Sequence, residues 1–166
     1  GEVQFRAKSK CAWWIDLIDA DQLKNRRPLK HSIRVIPDRS PRLKMISPRE
    51  NEGALDPGMR IGLVALAEDD YGFSRMRLVW KVVSSVTRDL FKFPELENIE
   101  NIPGGWSEKD LELKTLGASG RAALDMEWDL NELALFPDDE LYFYLELFDN
   151  DGWNGVKSGR SVIYIY

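Results

Sequence analysis

The chain has 166 residues, 43% of them hydrophobic, with a single cysteine and a single histidine. That supports one sizeable core, or one core and part of another. A lone Cys11 excludes an intrachain disulfide and a cysteine-held zinc, and a lone His31 removes most nucleophile–histidine and transition-metal arrangements.

Charge is uneven along the chain. Residues 1–44 carry eleven Lys/Arg against five Asp/Glu, a balance of +6, and the remainder carries 12 against 23, a balance of −11, giving −5 in all. The basic stretch "KNRRPLKHSIR" has no interleaved aromatic residues and is expected to be a solvated loop, so no nucleic-acid partner is expected. Segments of opposite sign suit packing against each other, within a chain or between chains.

In chain order, the first readable element is "AWWIDLIDADQLKNRRPLKHSIRVIP", two alternating apolar runs joined by a polar loop. "PDRSP" follows as a proline-bracketed linker, and strands are then expected over 42–46, 60–68 and 73–83. The run Ile61–Ala67 is the longest apolar stretch and is far too short to span a membrane. In "MRLVWKV", Met76, Leu78, Trp80 and Val82 share one face. The region 87–119 has no clear period and is expected to be an irregular insertion with one edge strand. Within it, Ser107–Leu113 is a candidate short helix, with Ser107 and Asp110 spaced as a capping box. Strands are expected again over 121–130, 140–148 and 160–166, with a single helical turn in "DLNELAL". Trp128 has the parity of Leu124 and Met126 and should share an interior with Trp80. Many short strands with polar turns predict an all-β antiparallel sandwich of immunoglobulin-like kind, with Trp80 as the strand-C tryptophan and Tyr142 or Tyr144 at the corner before the sixth strand.

The first hairpin returns at the end of the chain. At a spacing of 130 residues, Ile15 matches Leu145, Leu17 matches Leu147, Asp19 matches Asp149, Asp21 matches Asp151, Ile33 matches Ile163 and Val35 matches Ile165, without a gap. Tandem repeats are therefore expected. Residues 1–38 would be the C-terminal hairpin of a truncated first repeat and residues 39–166 a complete one, the whole a fragment of a longer array. The hairpin's apolar residues Trp13, Ile15, Leu17, Ile33 and Val35 need cover, so self-association or a protein partner is expected.

The phrases "AEDDYGFSRMRLVW", "FDNDGWNGVKSGRS" and "VIPDRSPRLKMISP" resemble repeats of bacterial envelope proteins of the domain-of-unknown-function 4175 family. The resemblance covers most of residues 12–85 and 121–166. It implies a membrane-anchored parent with tandem immunoglobulin-like domains outside the cytoplasm, and it implies no reaction.

For the sites, the loops after the second and sixth strands of such a sandwich emerge at one end, which would gather Asp69, Asp70, Asp149 and Asp151. Carboxylates with loop carbonyls form a candidate Ca²⁺ site; the competing expectation is that they tie nearby backbone amides, with Asp149 pointing inward by parity. No other cofactor and no catalytic group is expected. Trp153, in "DGWNG", and Trp106, after "PGG", are candidate interaction residues, whether for a protein or for a sugar. The expected function is a non-enzymatic spacer or interaction module, with a carbohydrate-binding sandwich as the alternative.

Overall fold

A computed structural model describes residues 2–55, 59–86, 105–115, 120–152 and 155–166. The chain divides into two compact units, Gly1–Asp38 and Arg39–Tyr166.

The first unit is a hairpin of β1 (Cys11–Trp13) and β2 (His31–Ile33), in which Trp13 faces His31 and Cys11 faces Ile33. Trp13 and His31 stack with ring centroids 4.4 Å apart. Between the strands, Asn25 clamps the ribbon: its Oδ1 accepts from Leu17 N–H and its Nδ2 donates to Ile15 C=O, both at 2.9 Å. The loop closes at Asp19, whose N–H donates to Leu23 C=O.

The second unit is an all-β sandwich of two antiparallel sheets. One contains β3 (Arg42–Ser47), β4 (Arg60–Glu68), β8 (Arg121–Asp129) and β7 (Lys114–Thr115), in the spatial order β3-β4-β8-β7. The other has the order β10-β9-β5-β6, formed by β5 (Phe73–Val83), β6 (Ser107–Leu111), β9 (Glu140–Asp149) and β10 (Ser158–Arg160), with β11 (Tyr164–Ile165) also on β9. Alternation decides what goes inside. On β4, Ile61, Leu63, Ala65 and Ala67 are buried, and on β9, Leu141, Phe143, Leu145 and Leu147 are buried. These meet Met76, Leu78, Leu124 and Trp128 in one core. Trp80 packs edge-on against Trp128 at 5.7 Å, and Trp128 in turn against Phe143 at 5.4 Å, so both tryptophans do share an interior.

Two details hold the sheets in place. After Ser47 the chain changes sheets: Glu52 bridges Ile165 in parallel, while Gly53 N–H donates to Ile165 C=O and Ile165 N–H to Asn51 C=O. Further along the same edge, Gly159 lies so close to the start of β3 that a Cβ there would collide with Pro41 C=O, a contact no side chain can accommodate.

Three expectations change. Ser107–Leu113 is not a helix: Ser107–Leu111 is strand β6, paired with Met76–Trp80, so the ladder offered by β5 overrides a local capping signal. The expected last strand is two strands. Phe148 pairs with Ser158 but Phe143 with Tyr164, a slip of one residue between Ser161, whose Oγ accepts from Leu145 N–H at 3.0 Å, and Tyr164. Of the 87–119 region, residues 87–104 and 116–119 lie outside the described residues, and the rest contains both β6 and β7 rather than one edge strand. The turn in "DLNELAL" is a 3₁₀ turn over Leu130–Leu133, capped by Asp129.

Candidate functional site

The loop end of the sandwich is set by the β4–β5 and β9–β10 connections. They lie side by side: Asn150 N–H donates to Gly72 C=O, and Asn150 Nδ2 to Tyr71 C=O, both at 3.2 Å. Each loop is tied by its own aspartate. Asp69 Oδ2 accepts from Tyr71 N–H at 2.9 Å and Gly72 N–H at 2.7 Å, the geometry that makes Asp a turn former. Asp69 N–H also donates to Gly120 C=O, and Gly120, at φ +104, leaves no room for a Cβ beside Asp69 C=O. Asp70 accepts from Arg39 N–H at 3.4 Å.

Asp149 points into the sandwich and is 1% exposed. Its Oδ1 accepts from Asp151 N–H at 3.2 Å and Lys157 N–H at 2.9 Å, closing the β9–β10 loop. The Lys157 ammonium then lies 3.5 Å from both Asp149 Oδ2 and Asp151 Oδ2. A single ammonium thus sits between the two carboxylates and offsets one of their two charges. Asp69 Oδ1 is buried without a hydrogen-bond partner. No described set of three carboxylates with oxygens within 4.8 Å joins Asp149 or Asp151 to Asp69 and Asp70. The structure therefore brings the four aspartates to one end without merging them into one site.

The outward face of the β10-β9-β5-β6 sheet holds the other polar cluster. Glu146 is 3% exposed yet fully engaged: Arg77 Nη2 donates at 2.8 Å, Arg160 Nε at 3.1 Å and Ser158 Oγ at 3.0 Å. Arg77 also pairs with Glu108. Burial pushes the Glu146 carboxyl up, but the bonds from Arg77, Arg160 and Ser158 outweigh it and hold it below the ordinary value. The Arg77 guanidinium is raised correspondingly: burial lowers it, and the Glu146 bond and charge overcome that. Aromatic rings alternate with these cations. Arg75 and Arg77 lie over Phe148 at 4.4 and 4.8 Å, Arg160 over Tyr144 at 5.4 Å and Lys81 over Trp106 at 5.9 Å. Burial alone lowers the Lys81 ammonium.

Trp106 is therefore half-buried in a small cluster with Val83, Tyr142, Ile163 and Ile165, its ring edge-on to Tyr144 at 5.6 Å. It is not an open platform. Trp153 lies outside the described residues. Tyr142, the more buried of the two corner candidates, donates its hydroxyl to Glu140 at 2.7 Å.

Sequence reasoning missed Glu146 and Lys157. The signal for Glu146 was its parity, a lone carboxylate among Tyr142, Tyr144 and Phe148 on one outward face; that for Lys157 is absent, because only the fold brings it back to Asp149. Comparison with models of known families, with curated proteins and with solved structures finds no match.

Proposed function

We infer that the chain is an immunoglobulin-like segment of a tandem array, a non-enzymatic extracytoplasmic spacer or protein-interaction unit of a larger membrane-anchored bacterial envelope protein. The sandwich reading is supported by strand order: β3-β4-β8-β7 against β10-β9-β5-β6 corresponds to the A-B-E-D and G-F-C-C′ arrangement of immunoglobulin domains. The parallel Glu52–Ile165 bridge matches a first strand divided between sheets. The placement in the envelope is supported by the phrases that resemble the 4175 family.

The observation that carries the array is geometric recurrence at the 130-residue spacing. Asp19 Oδ1 accepts from Asp21 N–H at 2.9 Å as Asp149 Oδ1 accepts from Asp151 N–H. Lys30 Nζ lies 5.6 Å over Trp14 as Arg160 lies over Tyr144. The first contact is a turn that Asp69 and Asp129 also make, so it is the coincidence of both at one spacing that supports the repeat. The loops differ in length: Asp19 closes on Leu23 and Asp149 on Lys157, so the hairpins match in side-chain roles and not in turn length.

The test is a longer piece of the parent protein, extended upstream by about one repeat. Hydrogen exchange should then show the amides of β1 and β2 protected to the level of β9. If they exchange as fast as in the present chain, the hairpin is not the end of a preceding repeat. A glycan array is expected to be blank, since Trp106 offers no open ring; binding would favour the carbohydrate module.

A further inference from the structure

The outward face of the β3-β4-β8-β7 sheet has a charge pattern the envelope reading does not use. Its rows follow from the strand registers: Lys44, Leu66, Ala123 and Lys114 lie side by side, as do Arg42, Glu68 and Arg121 one row beyond. In the other direction come Val64 beside Asp125, Gly62 beside Glu127, and Arg60 beside Asp129. One end of the face thus has four cations and one carboxylate, the other three carboxylates and one cation. Between them lie Val64, Leu66 and Ala123, with Ile46 at the edge; Leu66 is 41% and Ile46 38% exposed. Next to this middle, at Gly62, the face is open: a Cβ built there meets nothing within 4 Å.

A face that is positive at one end and negative at the other is complementary to itself when turned over. We propose that this face binds the same face of a second copy of the chain. The two-fold axis would lie in the interface, across the strands, between Val64 and Leu66. It sets Leu66 of each copy on Val64 of the other, Glu127 over Arg121, and Asp125 beside Lys114. The alternative axis, parallel to the strands, stacks like charges and is disfavoured. Sheets packed in this way stay roughly aligned, as within a sandwich.

The area decides the strength. Nine residues of β4 at about 3.3 Å each, by four strands about 4.8 Å apart, make roughly 500 Å² per copy. That is near the lower edge of specific interfaces, so the dimer is weak, salt-sensitive and effective chiefly where copies are held at high local concentration. It needs nothing from the Gly1–Asp38 unit and does not depend on that unit's origin.

Sedimentation velocity of the full chain tests it. At about 100 µM protein the chain should dimerise in about 20 mM salt and dissociate in about 500 mM. The double variant Asp125→Lys/Glu127→Lys gives both ends of the face a net positive charge, and Lys114→Glu/Arg121→Glu gives both a net negative one. Each should weaken self-association at least about tenfold, while an equimolar mixture of the two should form heterodimers. All these residues are on solvent-facing positions of their strands, and an unchanged thermal transition for each variant shows that folding is intact. The proposal fails if the parent chain stays monomeric at low salt. It also fails if both variants dimerise like the parent, which would place the contact elsewhere, for instance on the β1–β2 hairpin. A mixture that stays monomeric overturns the two-fold pairing.

Discussion

Two hairpins in this chain share a pattern and differ in burial. Leu145 and Leu147 on β9 are 0% exposed, whereas their counterparts Ile15 and Leu17 are 58% and 64% exposed. Phe143 stacks on Tyr164 at 5.1 Å and meets Trp128 at 5.4 Å; among the described ring contacts its counterpart Trp13 has His31 alone. Alternation therefore specifies which side of a strand is apolar, while burial depends on what the other strands supply. A hairpin has a core-facing side before it has a core, and two strands alone rarely hold one.

The largest effect should come from breaking that asymmetry at its centre. Phe143→Ala removes the ring shared by Trp128, Tyr164 and Tyr166 and should cost about 3–5 kcal/mol, enough to unfold a marginal domain. Trp13→Ala should leave the main melting transition within about 0.5 kcal/mol. Equal losses at the two positions would mean that the hairpin belongs to the same cooperative core.

The aspartates come next. Asp149→Ala removes one of the two carboxylates beside the partly buried Lys157 and frees two loop N–H groups, so a loss of about 2–4 kcal/mol is expected. Asp19→Ala, at an exposed turn, should cost far less in the same thermal or urea measurement. Because the Lys157 ammonium occupies the space between Asp149 and Asp151, millimolar Ca²⁺ should leave the melting temperature of the parent chain unchanged. A calcium-dependent rise, lost in Asp69→Asn, would reveal a cation site at the neighbouring loop, since a ligand of the native state must stabilise it.

What was legible in the sequence follows from periodicity. β4 and β5 were readable to the residue because they are long and their inward faces are uniformly apolar, as in Met76, Leu78, Trp80 and Val82. β6 was not, since "SEKDL" has one half-buried apolar residue, Leu111, and is a strand only because β5 offers it a ladder. The break in the last strand was invisible because a bulge after Ser161 is decided by pairing, not by composition. At the site, the aspartates were visible as turn formers, but Lys157 was not, because only the fold brings its ammonium to Asp149 and Asp151. Trp106 looked like a loop-tip ring next to "PGG"; its cover, Tyr142, Tyr144 and Ile163, comes from strands far along the chain.

Acid should sharpen the contrast between outward faces. Glu146 has a folded value below its ordinary 4.5, so it stabilises the sandwich above that pH, and the contribution is lost as pH falls through the depressed folded value. Its counterpart Asp16 bonds only the exposed Trp14 indole among the described contacts. Glu146→Gln should therefore lower stability at pH 7 and flatten the acid limb below about pH 4.5. An acid limb that Glu146→Gln does not alter would assign the titration to other carboxylates.

The smallest effect concerns the cation–ring pair that recurs at 130 residues. Arg160 contacts both Tyr144 and the buried Glu146, so Arg160→Ala disturbs a network; Lys30 has its ammonium over Trp14 and faces solvent. An exposed pair of this kind contributes about 0.5–1 kcal/mol at most. Lys30→Ala should leave the main thermal transition where it is and shift only the Trp14 indole resonance in an NMR spectrum, while Lys30→Arg should preserve that shift. Arg160→Ala should lower the transition itself, and Arg160→Lys should recover only part of it, because an ammonium reaches Glu146 without the guanidinium's planar fork over the ring. If Lys30→Ala destabilises the sandwich as much as Arg160→Ala does, the two pairs are energetically one system, and the hairpin cannot be treated as a separate unit.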